Sequence, residues 1–401
     1  MYLRPALLLL TGCLGVLGAT AQSIAPANSA MVATQSAAPV NALRVRSFKR
    51  LDATTGWVST GNMLLWTTDN GAHWKDISPN TPDLDDPNSY KFSGVFFLNA
   101  QTGWVLCTTD ADNNPGTDME PTTAYNNYLE ATVDGGASWS VVSPPLREPD
   151  SNGGGSVVFS DPLHGWVNLD VDRAGALFAT SDGGHAWKRG GPAVASFLAA
   201  PDNQDLWMVG GIDYQLFASH DGGSSLQEVS IPLPANLNTD LYPTYSLPIF
   251  KDALNGYESV DYAGGEGEKS AIALFHTADG GQTWKLDREI LNLAPHSAGS
   301  NTPYAIAGST WILPFAPAGQ PPIPLQLSAG SGPVDGAASH LQYFDCDLDF
   351  LNPSQGWMRS AGGLSSTEDG GATRTMINPR ARDGALTTDP VTPDATPARG
   401  R

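Results

Sequence analysis

Thr67-Thr68-Asp69-Asn70-Gly71-Ala72-His73-Trp74 decides the fold, because the chain writes this pattern repeatedly. The rule Ser/Thr-x-Asp-x-Gly-x-x-Trp returns as Thr132-Val133-Asp134-Gly135-Gly136-Ala137-Ser138-Trp139. It returns again from Thr180 to Trp187 around Asp182, and from Thr277 to Trp284 around Asp279. Two copies break the rule only at the last place: Ser219 to Leu226 around Asp221, and Thr367 to Arg374 around Asp369. An Asp in a turn accepts backbone N–H groups, as in an Asx-turn. Gly at the fifth place tolerates positive φ, and a Trp is large enough to pack beneath the turn. The six aspartates, Asp69, Asp134, Asp182, Asp221, Asp279 and Asp369, are therefore read as structural.

Working outward, a second element precedes each copy: an Asp or Asn, a short spacer, then Gly-Trp or a close relative. It spans Asp52 to Trp57, Asn99 to Trp104, Asp161 to Trp166, Asp202 to Trp207, Asp252 to Tyr257 and Asn352 to Trp357. The aromatic positions step by 47, 62, 41, 50 and 100 residues. Trp311 falls midway in the doubled interval and marks a seventh unit, which lacks the eight-residue element. Around these marks lie short alternating runs, such as Leu43 to Phe48, Gly56-Trp57-Val58 and Met63 to Trp66. Four short strands per unit of about 40–50 residues predict an all-β, seven-bladed β-propeller of four-stranded blades. A single such sheet cannot bury both faces; stacked blades do so with tryptophan between them.

Composition agrees. Only 15% of the 401 residues are charged, while Gly 43, Pro 31 and Trp 11 are abundant, a turn-rich β profile. Asp+Glu exceed Lys+Arg by 41 to 21, for a net charge of −20. Such a balance excludes a nucleic-acid-binding surface. At the start, Arg4, the apolar run Ala6 to Leu17 and Ala19-Thr20-Ala21 read as a cleavable signal over 1–21. No other run is long and apolar enough to predict a transmembrane segment. Leu10-Thr11-Gly12-Cys13 also matches a lipobox, which would tether an exported chain through Cys13. Residues 22–41 read as a flexible linker, 42–378 as the propeller, and 379–401 as a disordered tail. The expectation is an exported monomer, periplasmic or secreted. Cys107 and Cys346 fall in non-adjacent units and are expected as free thiols.

The eight-residue element resembles the Asp box, or bacterial neuraminidase repeat. Its pairing with an upstream Gly-Trp is most similar to the Ycf48/HCF136 family of photosystem II assembly factors and related bacterial exported propellers. The resemblance implies a non-catalytic scaffold that binds a protein partner. Asp boxes also occur in sialidases, xyloglucanases and sortilin-type receptors, so a glycoside hydrolase is the alternative. Against a sialidase, the Phe/Tyr-Arg-Ile-Pro motif is absent, and Arg44, Arg46 and Arg50 crowd one strand instead of converging from several blades. A xyloglucanase-like enzyme needs two opposed carboxylates and is typically built from two propellers, where this chain has room for one. No P-loop, HExxH or GxSxG motif occurs, and no catalytic residue is assigned.

Two acidic clusters are candidate sites. Asp110, Asp112, Asn114, Asp118 and Glu120 space oxygen ligands as calcium loops do, although Pro115 stands where an EF-hand has Gly. Calcium is thus the one cofactor the sequence suggests. Asp345, Asp347 and Asp349 alternate with Phe344, Cys346, Leu348 and Phe350 as one strand with unlike faces. By register this is the first strand of unit seven, lining the channel. Carboxylates at that spacing lie about 7 Å apart and need water, a cation or a basic partner group to offset their repulsion.

Overall fold

The computed structural model describes residues 44–380 apart from 81–90, 111–124, 149–150, 172–173, 195, 212–213, 238–240, 264–268, 295–303, 318–322, 329, 331, 337–340, 344–346 and 361–362. Among the described residues every regular element is a strand. None is a helix, and so none is a helix long and apolar enough to cross a membrane. Seven sheets follow one another along the chain, built from antiparallel strands laid down from the innermost outward, with the additions in blades 5 and 6 described below. The protein is a seven-bladed β-propeller, as the repeats predict.

The inner strands are Ser47–Arg50, Phe92–Phe97, Ser151–Phe159, Ser196–Ala199, Tyr242–Tyr245 continued by Ile249–Phe250, Ala305–Ala307 and Asp347–Phe350. The second strands begin at Gly56, Gly103, Gly165, Leu206, Gly256, Thr310 and Gly356, at or just before each aromatic mark. Glycine precedes the aromatic for a steric reason. Phe97, Phe159, Phe250 and Phe350 end their inner strands directly opposite Gly103, Gly165, Gly256 and Gly356. A Cβ at any of the four would overlap the Phe ring.

The aromatic itself faces the next blade, and the eight-residue turn of that blade receives it. Trp104 Nε1 donates to Gly183 O, Trp166 Nε1 to Gly222 O and Trp357 Nε1 to Asn70 Oδ1. A Cβ at Gly281 would run into Trp207. The repeated turn therefore does two jobs: it reverses the chain, and its fifth-place glycine admits the neighbouring blade. The residue after the aromatic faces the other way and is buried and apolar in six blades: Val58, Val105, Val167, Met208, Ile312 and Met358.

Blade 6 departs from this plan. Trp311 packs with Leu313 and Phe315 against blade 5, and its Nε1 donates to Asp287 Oδ2. Ile312 faces blade 7. The phase mark read from the sequence is present but points the opposite way, since a one-residue slip exchanges the faces of a strand. Without an eight-residue turn, the chain after Ile323–Ser328 does not return as an outer strand. Val334–Asp335 pairs in parallel with the outer strand of blade 5, and Leu341–Tyr343 pairs back onto the second strand of blade 6.

The ring closes without a shared strand. Blades 1 and 7 meet through Val45, Val58, Leu65, Trp74, Trp357, Leu364 and Ile377. Arg50 lies over the Trp357 ring, its guanidinium carbon 5.6 Å from the centroid.

Candidate functional site at the channel mouth

The two ends of the channel differ in chemistry. At one end lie the links from inner to second strands and the eight-residue turns. In every eight-residue turn the Asp Oδ1 accepts the amide four residues on, at 2.8–2.9 Å. The leading Thr or Ser hydroxyl donates to that carboxylate. The same hydroxyl accepts the N–H of the fifth-place glycine. Asp134, Asp221 and Asp279 are held down at about 2 by the hydroxyl and amide of Ser138, Ser225 and Thr283. Asp52, Asn99, Asp161, Asp202, Asp252 and Asn352 cap the other links, each accepting two amides. The sequence showed these Asp/Asn residues as part of a spacing only; their capping role is a structural finding. This end spends its polar groups on itself.

The opposite end, the mouth, carries the second-to-third strand links and the connections between blades. Two aromatic side chains stand open there. Phe197 on the inner strand of blade 4 is 62% exposed and Tyr242 on that of blade 5 is 69% exposed. Their strands begin opposite Gly210 and Ala263, at the mouth ends of the second strands. Each of these neighbouring blades thus presents one exposed aromatic at the mouth. A two-residue alternation was too weak a signal to single out either residue from sequence.

The acidic strand of blade 7 corrects an expectation. Asp349 accepts Lys49 Nζ at 2.8 Å and the Arg50 amide at 2.5 Å. Asp347 is held by Arg359 through Nε at 2.7 Å and through Nη2. Register places Asp347 opposite Arg359, and ring closure brings Lys49 to Asp349. Two of the three carboxylates, Asp347 and Asp349, are therefore paired with the protein's own cations, which weighs against those two as an anionic site awaiting a ligand. Asp345 lies outside the described residues. So do Asp112, Asn114, Asp118 and Glu120 and the side chain of Asp110, which leaves the calcium reading without geometry. No group of three or more metal-binding side chains occurs among the described residues. Cys107 is a buried free thiol; Cys346 lies outside the described residues.

Below the mouth aromatics, between blades 4 and 5, lies an acidic and phenolic cluster that sequence reading missed. Glu258, Tyr262 and Glu289 are buried. Neither Glu258 oxygen, nor the Tyr262 hydroxyl, nor Glu289 Oε1 has a hydrogen-bond partner. Asn236 Nδ2 donates to Glu289 Oε2 at 3.1 Å. Burial pushes the Glu258 carboxyl well above the usual carboxylate range, and the nearby Ser246 backbone offsets this only in part. Burial also raises the Tyr262 phenol, with Tyr245, Glu258 and Glu289 adding to it. The available signal was a Glu after the aromatic, where other units carry an apolar residue.

No protein-family model matches the chain, and no curated protein matches it. Solved structures do. Ycf48 from Cyanidioschyzon merolae aligns over 84% of this chain and 99% of its own, at 15% identity and a TM-score of 0.48. A GH74 enzyme from Niastella koreensis aligns over 82% of this chain and 58% of its own, at 14% identity and a TM-score of 0.40. A Trypanosoma rangeli sialidase aligns over 72% of this chain and 54% of its own, at 10% identity and a TM-score of 0.38. On its own geometry the chain is a seven-bladed β-propeller, and the solved structures similar to it include Ycf48 and other propellers.

Proposed function

We propose that this protein is an exported, non-catalytic β-propeller scaffold that binds a protein partner at the channel mouth. One observation carries the reading: Phe197 and Tyr242 stand exposed on the inner strands of adjacent blades, at the mouth end of each strand. Large aromatics of this kind dominate protein interfaces because they bury much area at little entropic cost. The net charge of −20 favours a partner with a neutral or basic contact face.

Hydrolysis of a glycan is the second reading. It requires two unpaired carboxyl groups facing each other across an open cleft. The two described inner-strand aspartates of blade 7 are each engaged by a cation, which weighs against them as that pair. Affinity capture from the exported fraction of the source cells, with wild type and a Phe197→Ser/Tyr242→Ser variant, tests the scaffold. The expected result is a protein retained by wild type and lost by the folded variant. Turnover of any glycan in a parallel screen would overturn the scaffold reading.

A further inference from the structure

Glu258 occupies a place that is apolar and buried in every other blade: Val58, Val105, Val167, Met208, Ile312 or Met358. It is itself fully buried; its carboxyl oxygens make no well-formed hydrogen bond, and only the Ser246 backbone lies near enough to favour the charged form. A carboxylate left so would cost several kcal/mol, which a neutral acid avoids.

The backbone beside it is irregular. Tyr245 pairs with Val260 and Ile249 with Tyr257. Three inner-strand residues, Ser246-Leu247-Pro248, therefore stand opposite two, Glu258-Ser259. The inner strand bulges away from the second strand at Glu258, and Pro248 brings no amide to bridge the gap. The Tyr304 hydroxyl, reaching in from the connection to blade 6, closes the bulge. It donates towards Tyr257 O at 2.6 Å and Leu247 O at 3.1 Å and accepts the Ile249 amide. The titratable groups that feel Glu258 are Tyr245 on the inner strand, Tyr262 on its own strand and Tyr304, and Glu289 on the outer strand acts in turn on Tyr262. None is basic. From blade 4 come the apolar Trp207, Val209 and Ala218, and Glu228 on its outer strand acts on Tyr245.

We propose that Glu258 is a proton-operated latch on blade 5: the neutral acid stays buried beside the bulge at 246–248, and ionisation drives it out of its apolar site through that bulge. The departure loosens Tyr242–Tyr245, the strand that carries an exposed mouth aromatic. The latch stands independently of what the mouth binds.

The sign follows from linkage. The folded protein holds this proton more tightly than the unfolded chain, whose carboxyl titrates near 4.5. The latch is therefore fully closed below 4.5 and is lost as pH rises towards the folded pKa. Across that window one proton is released on opening, so the opening equilibrium shifts about tenfold per pH unit.

Hydrogen exchange of peptides spanning 242–250, corrected for intrinsic rates, tests it in the full chain. In wild type, protection of this segment should fall with rising pH across the window, while the inner strand of blade 1 keeps its protection. Glu258→Gln should abolish that pH dependence, and Glu258→Met should abolish it while raising protection. Should neither variant fold, an isotope-edited infrared spectrum of the wild-type glutamate carboxyls decides. A buried protonated band persisting above 4.5 supports the latch; complete ionisation near 4.5 overturns it. Equal pH profiles in wild type and Glu258→Gln overturn it as well.

Discussion

The seam between blades 7 and 1 and the seam between blades 4 and 5 are built from the same parts and finished differently. Each packs a second-strand Trp against a turn Trp with ring centroids 5.8 Å apart, Trp357 tilted against Trp74 and Trp207 edge-on to Trp284. At the first seam Trp357 Nε1 is bonded to Asn70, Asn70 to Glu368, and Asp349 to Lys49 and the Arg50 amide. At the second, Trp207 Nε1, Trp284 Nε1, the Tyr262 hydroxyl and both Glu258 oxygens lack partners. The first seam must hold the two ends of the ring together with side chains alone, and nearly all its polar groups are paired. The second joins blades already linked by continuous chain, and it tolerates polar groups that destabilise it. Buried polar groups are ordinarily satisfied, and among the described residues this seam gathers more unsatisfied ones, including both oxygens of a carboxyl, than the ring-closing seam does.

The largest expected effect is at the tryptophans. Trp357→Ala and Trp207→Ala should each cost about 3–5 kcal/mol in denaturant unfolding. Phenylalanine separates the seams. Trp357→Phe loses the bond to Asn70 and should cost about 1 kcal/mol more than Trp207→Phe, which removes an unpaired donor. Equal costs would break the comparison.

Next come the turn glycines. Gly281 has φ +88 and meets Trp207, whereas Gly308 has φ +65 with nothing within 4 Å of a Cβ. Gly308→Ala should cost only the left-handed backbone strain, about 1–3 kcal/mol. Gly281→Ala should add about 1–3 kcal/mol of overpacking to that. Thermal unfolding of the pair sharpens the claim that the turn is an interblade joint.

Acid acts on the turns in the direction opposite to the latch. Asp134, Asp221 and Asp279 titrate at about 2 in the folded protein against 3.8 otherwise. Their contribution is fully present above 3.8 and is lost as pH falls towards 2. Asp221→Asn should flatten the acid limb of a melting-temperature profile; an unchanged limb would contradict the turn chemistry. The smallest effects lie at the ring-closing ion pair. Lys49→Met removes a half-exposed partner and should cost about 0–1 kcal/mol. Asp349→Ala also strands the buried Arg50 amide and should cost about 1–3 kcal/mol.

The fold was legible because its two marks repeat with independent reasons behind them. An Asp that must cap a turn and a Gly that must admit a ring constrain the sequence wherever they occur. Blade 6 shows the limit. Trp311 kept the spacing while facing the other blade, and spacing alone does not reveal which face a strand presents. The candidate site was less legible because it depends on ring closure. Nothing local to Asp347 or Asp349 announces Arg359 across a strand or Lys49 three hundred residues away. Phe197 and Tyr242 look like ordinary strand aromatics until register places them at the rim. Glu258 was detectable in principle, by aligning the units and noticing a charge in an apolar column.

The central claim is that the mouth is the working end. Photo-crosslinking residues placed singly at Phe197 and Tyr242, and at Leu163 and Leu254 in the opposite-end turns, compare the two ends directly. Leu163 and Leu254 are themselves 54% and 57% exposed, so exposure alone does not favour the mouth. In the exported fraction, covalent adducts with one protein at 197 and 242, and none at 163 and 254, are the predicted result. Adducts at 163 and 254 with none at 197 and 242 would contradict it.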